Sequence, residues 1–177
     1  MNRPSVVAGI VVLVASVSCA TSKLSTSPSQ TPSHSVKSIA MAPSGGLIAD
    51  AIAVELFNRG FHVIDTAETS NLLVRMGLSE IEVTTPENLA RLRDQGVDAY
   101  LVARSAAAAD GRPQSASVRV NSTHTGAILA GVTWQNGWGG IAGSPADRVM
   151  RKDLTEAAVE IAIDLAKRLN APGSSLP

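Results

Sequence analysis

A chain of 177 residues leaves room for one domain, with or without tails. Apolar residues make up 45% of it but aromatics only 3%, so Ala, Val, Ile and Leu have to fill the core. Fifteen basic and fifteen acidic side chains cancel, which excludes any electrostatic pull toward nucleic acid or an anionic membrane surface.

Arg3 and the α-amino group precede an uncharged run from Val6 to Val17. That run has the length of a signal h-region and falls short of the roughly 20 apolar residues that a spanning helix needs. Ser16, Val17 and Ser18 then lead into Cys19, the one cysteine of the chain, which has no internal disulfide partner. This placement resembles the lipobox of bacterial lipoproteins, where signal peptidase II cuts before a cysteine whose thiol carries a diacylglyceryl group. The leucine usual three residues before the cysteine is Ser16 here. The alternative is an ordinary signal peptide cut after Ala15 or Ala20, with Cys19 incidental. Ala20, standing where an aspartate would retain such a lipoprotein, implies sorting to the outer membrane in a two-membrane organism. Acyl chains anchor by burying methylenes at about 0.8 kcal/mol each, without a spanning helix.

From Thr21 to Val36 the chain reads TSKLSTSPSQTPSHSV, dominated by Ser, Thr and Pro and almost free of apolar residues. No packed face is expected from it, so residues 19–36 read as a lipidated cysteine and a disordered tether. Ser38 to Met41 is a candidate buried strand ended by Pro43, with Ser44 placed to cap a helix. On that helix Leu47, Ile48, Ala51, Ile52, Val54 and Leu56 are expected on a broad apolar face, and Gly60 closes it. Phe61 to Ile64 is a second strand, Asp65 or Thr66 caps a short helix with Leu72, Leu73 and Met76, and Thr85-Pro86-Glu87 starts another that stops at Gly96.

Val97 to Arg104 reads as a third, buried strand, with the alanines after it extending it or leaving the sheet. Ser115 to Ser122 alternates, Ala116, Val118 and Val120 against Ser117, Arg119 and Asn121, as a half-solvated antiparallel strand does. Thr125-Gly126 turns into a fifth strand, Ala127 to Gln135, with Ile128, Ala130, Val132 and Trp134 expected on one face. The final helix carries Leu154, Ala158, Ile161, Leu165 and Leu169, and starts at Ser144-Pro145 or at an Asp153 cap; Asp164 is spaced to pair with Arg168. The order β-α-β-α-α-β-β-β-α predicts an α/β (α+β) domain: a single mixed sheet of about five strands with helices packed on it.

The segment "SIAMAPSGGLIADAIAVELFNRGFHVIDTAETSNLLVRMG" resembles the opening of the curli-secretion lipoproteins, their flagellar outer-membrane relatives and the lipoprotein activators of penicillin-binding proteins. "GVDAYLVAR" and "VRVNSTHTGAILAG" resemble later elements of the same group. The resemblance covers nearly all of residues 37–170 and implies a TolB-N-terminal-like α/β domain, with 1–18 as signal peptide and 171–177 as a flexible tail. It also departs from the group: nothing between Arg104 and Gln135 is long enough to match the curli channel's two membrane-inserted hairpins. A periplasmic domain without a pore of its own is therefore expected.

Catalytic groups are not apparent. A lipidated Cys19 offers no thiol, and His34, His62 and His124 fall on a tether, a strand and a turn without zinc-ligand spacing. Gly137 to Ala142 fits G-x-G-x-x-A, but the strand and ribose-binding acid that a dinucleotide fold needs after the next helix are missing. No enzyme, metal or cofactor is expected beyond the lipid on Cys19. Trp134 and Trp138 are the two tryptophans and stand as candidate partner-binding residues, since exposed aromatics are enriched at interfaces. Two functions fit: a lipid-anchored adaptor docking on an envelope assembly such as a cell-wall synthase, or a self-associating subunit of a secretion or appendage complex. Nucleic acid is not an expected partner.

Overall fold

The computed structural model describes residues 22–26, 35–137, 144 and 151–170. In chain order its elements are β1 (Ser22–Thr26), β2 (Ser38–Met41), α1 (Gly46–Phe57), β3 (His62–Ile64), α2 (Thr66–Met76), α3 (Pro86–Asp94), β4 (Ala99–Ala107), β5 (Pro113–Ser122), β6 (Ile128–Asn136) and α4 (Leu154–Leu169). The strands form one six-stranded sheet in the spatial order β1-β6-β5-β4-β2-β3. β2 pairs in parallel with β3 and β4, and β4, β5, β6 and β1 follow as an antiparallel series. Helical crossovers join the parallel strands and short turns join β4 to β5 and β5 to β6, as the two pairing modes allow.

Local chemistry sets most boundaries. Asp65 accepts the Glu68 N–H at the start of α2, Thr85 accepts that of Asn88 at the start of α3, and Asp153 with Glu156 forms a capping box on α4. α2 ends on Gly77 in the left-handed conformation, φ 64°, which a side chain would strain. Ser44 is not the cap of α1: a 3-10 turn over Pro43–Gly45 precedes that helix, and the Ser44 N–H and hydroxyl go to Glu80 instead. Gly45 is needed there, because a Cβ on it would lie 2.4 Å from the Ala49 Cβ.

The sheet faces are covered unequally. On one face α1 and α4 bury Ile39, Met41, Leu101, Val118, Val120, Val132 and Trp134 in the main core. On the other, α2 and α3 cover Ala40, Ala42 and Tyr100, that is, the β2–β4 part of the sheet. β2 and β4 are therefore apolar at consecutive positions, while β5 and β6 alternate and present Ser117, Arg119, Thr133 and Gln135 to solvent.

Three expectations need correction. First, the sheet has six strands, because Ser22–Thr26, expected within a disordered tether, pairs antiparallel with β6 from Ser22↔Asn136 to Thr26↔Val132. Unpaired, that edge of β6 would leave N–H and C=O groups open; four polar residues around one inward Leu24 suffice to close it. Second, a bulge shifts the β5–β6 register from Val120↔Ala130 to Asn121↔Ile128. The strand slips one residue, so Leu129 is buried and Ile128 exposed, the reverse of strict alternation. Third, α1 buries Ile48, Ala49, Ile52, Ala53 and Leu56, leaving Leu47 and Val54 outside. Its small residues Ala49 and Ala53 let the helix lie close to the sheet.

Tyr100 is fully buried, and its hydroxyl meets no hydrogen-bond partner among the described residues. Burial, with the Glu80 carboxylate nearby, pushes its ionisation far above the usual tyrosine range. A buried donor left unpaired costs about 1–3 kcal/mol. Tyr100→Phe is therefore expected to stabilise the fold by about 1 kcal/mol, seen as a higher urea midpoint at unchanged slope; a lower midpoint would show that the hydroxyl is satisfied in solution.

Candidate interaction surface

Trp134 projects from β6 into the main core and is wholly buried, so it offers no surface to a partner. Its indole N–H donates to Glu160 Oε2 at 2.7 Å, which is what permits a tryptophan to sit there. The same carboxylate accepts the Ser22 hydroxyl at 2.5 Å and pairs with the Lys152 ammonium, which also donates to Ser22 Oγ at 2.9 Å. Asn136 completes this corner by donating to the carbonyls of Pro113 and Lys152 and accepting the Lys152 N–H. Burial raises the Glu160 carboxyl, but hydrogen bonds from Lys152, Ser22 and Trp134 outweigh it, and the net shift is downward. Cys19, Trp138 and His34 lie outside the described residues, as does the glycine-rich motif beyond Gly137.

A second corner forms at the opposite end of the sheet. Asp98, just before β4, accepts the backbone N–H groups of Lys37 and Ser38 at 2.9 Å each, and His124 Nε2 lies 3.4 Å from its other oxygen. Thr123 Oγ1 donates to the carbonyls of Val97 and Asp98 at 2.6 and 2.8 Å. Burial again raises the carboxyl, and the two backbone donors with His124 bring it below the usual range. His62 reaches only Ser38 Oγ, at 3.4 Å. Both histidines thus border one network through Ser38 and Asp98, and among the described residues no group of three or more His, Cys, Asp or Glu could hold a metal.

The open sheet face next to α3 carries a shallow cleft of about 290 Å³ lined by Thr84, Val102, Arg104, Ser117, Arg119 and Asn121. Its lining places the guanidiniums of Arg104 and Arg119 beside the hydroxyls of Thr84 and Ser117 and the Asn121 amide.

Among the described residues Val74 and Ile81 are exposed apolar side chains, and three more gather on the outer side of α1. Leu47, Val54 and Phe57 are 76%, 59% and 68% exposed, and Ala51 lies between them at helical spacing. The inner side of the helix is wholly apolar, and the outer side is apolar around one exposed carboxylate, Asp50, which accepts the Thr66 hydroxyl at 2.8 Å. Sequence periodicity missed this, because Leu47 and Val54 were placed with the inward residues on one broad apolar face, opposite a polar side of Asp50, Asn58 and Arg59.

Among the described residues no helix is long and apolar enough to cross a membrane. No family model matches the sequence, and no curated protein does. Solved structures similar in part are the PelC dodecamer from Paraburkholderia phytofirmans, lipoprotein GNA1162 from Neisseria meningitidis and the LpoB C-terminal domain from Salmonella enterica. PelC is 15% identical at a TM-score of 0.48, over 86% of this chain and 100% of that one. GNA1162 is 18% identical at 0.46, over 77% and 99%, and LpoB 17% identical at 0.42, over 59% and 87%. At these scores the likenesses carry no inference about what this chain binds.

Asp98 and Glu160 both titrate below their ordinary range in the fold. A lowered folded value means that the stabilisation is complete above the unfolded value, about pH 4, and is lost as pH falls through the folded one. Asp98→Asn is expected to lower the urea midpoint at neutral pH and to flatten its decline in acid. A midpoint-against-pH curve parallel to wild type would remove Asp98 from the acid response.

Proposed function

We propose that this chain is a lipid-anchored adaptor of the bacterial envelope, held at the membrane through Cys19 and docking by the outer side of α1 on an envelope assembly such as a cell-wall synthase. The h-region, the small residues at Ser16–Ser18 and Cys19 behind them support the anchor. The single observation that carries the docking role is the exposure of Leu47, Val54 and Phe57 along one helix whose inner side already fills the core. A face of this kind gains by being covered, and its residues add contact area without rearranging the fold.

The resemblance of the sequence to synthase activators favours a wall-synthesis partner. A self-associating subunit would use the same helix against a second copy. The periplasmic side of the outer membrane follows from Ala20 behind Cys19, in an organism with two membranes.

Two measurements test this. Cys19→Ala is expected to move the protein from membranes to the soluble envelope fraction; retention on membranes would overturn the anchor. A photo-crosslinker at Val54 in growing cells is expected to give one adduct of defined mass containing a wall-synthesis protein. Leu47→Gln with Phe57→Gln should cut its yield about tenfold, the scale of an interface anchor worth 1 kcal/mol or more. A self-adduct would select the subunit reading, and no adduct would overturn docking through α1. As exposed substitutions, these two should shift stability by no more than about 0.5 kcal/mol each.

A further inference from the structure

Ser22 lies three residues after Cys19 and is already bonded into the fold. An extended chain covers at most about 3.6 Å per residue, so the lipid-bearing position is within roughly 11 Å of the domain. Without β1 the first buried residue would be Val36, and the reach would be about 60 Å. Strand direction decides which part of the domain is held close. Because β1 runs antiparallel to β6 with Ser22 opposite Asn136, the chain enters where β6 ends, β5 begins at Pro113 and Lys152 approaches α4. Lys37, Asp98 and the turn through His124 lie at the other end of the strands.

We propose that, in the lipid-anchored protein, the end of the sheet bearing Ser22, Gln114, Gly137 and Arg151 is seated against the lipid headgroups, with the His124 end pointing away. This rests on the lipid anchor at Cys19 proposed above. The chemistry of that end suits a headgroup layer: Gln114, Ser115, Gln135, Asn136, Gly137 and Arg151 line an open hollow of about 350 Å³ rich in hydrogen-bonding groups. Ser22, Glu160 and Lys152 make the seat rigid, since β1 cannot leave β6 without breaking their bonds. α1 starts beside Ala103, midway along β4, and runs from there away from the seated end, so its apolar side stands clear of the membrane and a partner meets it from the side.

The test uses the full lipidated chain in vesicles of phosphatidylethanolamine and phosphatidylglycerol carrying an acceptor dye on the headgroups. With Cys19 blocked by lipid, Gln114→Cys or Thr125→Cys supplies a single thiol for a donor dye. Energy transfer from position 114 should exceed that from 125 by at least about twofold, since a ten-residue strand such as β5 separates the two ends by roughly 33 Å. Leu24→Asp, which removes the apolar contact of β1, should erase the difference. So should a flexible Gly/Ser insertion of about 12 residues after Ala20, which adds roughly 20 Å of mean reach with β1 intact. Equal transfer from both positions, in protein that floats with the vesicles, overturns the seat and leaves the anchor standing. A difference that survives both changes overturns β1 as its cause. Failure of the lipidated protein to float overturns the anchor, and the seat with it.

Discussion

On α4 the carboxylate of Glu160 gathers three segments far apart in the chain: the Ser22 hydroxyl of β1, the Trp134 indole of β6 and the Lys152 ammonium ahead of the helix. Each would be costly or loose without it. An indole N–H inside a core needs an acceptor, a part-buried carboxylate needs donors and a cation, and a five-residue edge strand with one inward apolar side chain has little hydrophobic hold. Satisfied together, they stitch the outer sheet edge to the helix that covers it. The position of the chain just after Cys19 depends on that stitch.

The rest of the fold follows from unequal coverage of one sheet. Where α2 and α3 lie over β2 and β4, consecutive residues are apolar; beyond their reach β5 and β6 revert to alternation. α1 is the exception to the economy of this arrangement. It packs Ile48, Ile52 and Leu56 inward, yet carries Leu47, Val54 and Phe57 outward. Those outward residues lie outside the core of the described residues.

Legibility in the sequence varied with the range of the interaction. Thr85 was readable as a cap, and Asp65 and Asp153 as one of two candidates each, because a cap and its N–H partner lie within three residues. The pairing of Asp164 with Arg168, 2.6 Å apart, was readable for the same reason. β1 was hidden, since its pairing partner is more than a hundred residues away and its own residues are polar. The bulge that turns Ile128 out and Leu129 in was hidden as well, because register belongs to a pair of strands and not to either one. Trp134 was read as a possible contact residue; its burial depends on a carboxylate that α4 brings from 26 residues on.

By itself the sequence determined the order and type of the elements from β2 onward, the single mixed sheet and the starts of α2 and α3, because periodicity and capping are local and each residue carries its own share of the signal. Only the tertiary structure decided which side of α1 stays uncovered, that Trp134 belongs to the core, and that Ser22–Thr26 closes the sheet instead of trailing as a spacer. Those outcomes depend on bonds between distant segments, whose cost or gain exists only once the sheet has brought their partners within hydrogen-bond distance.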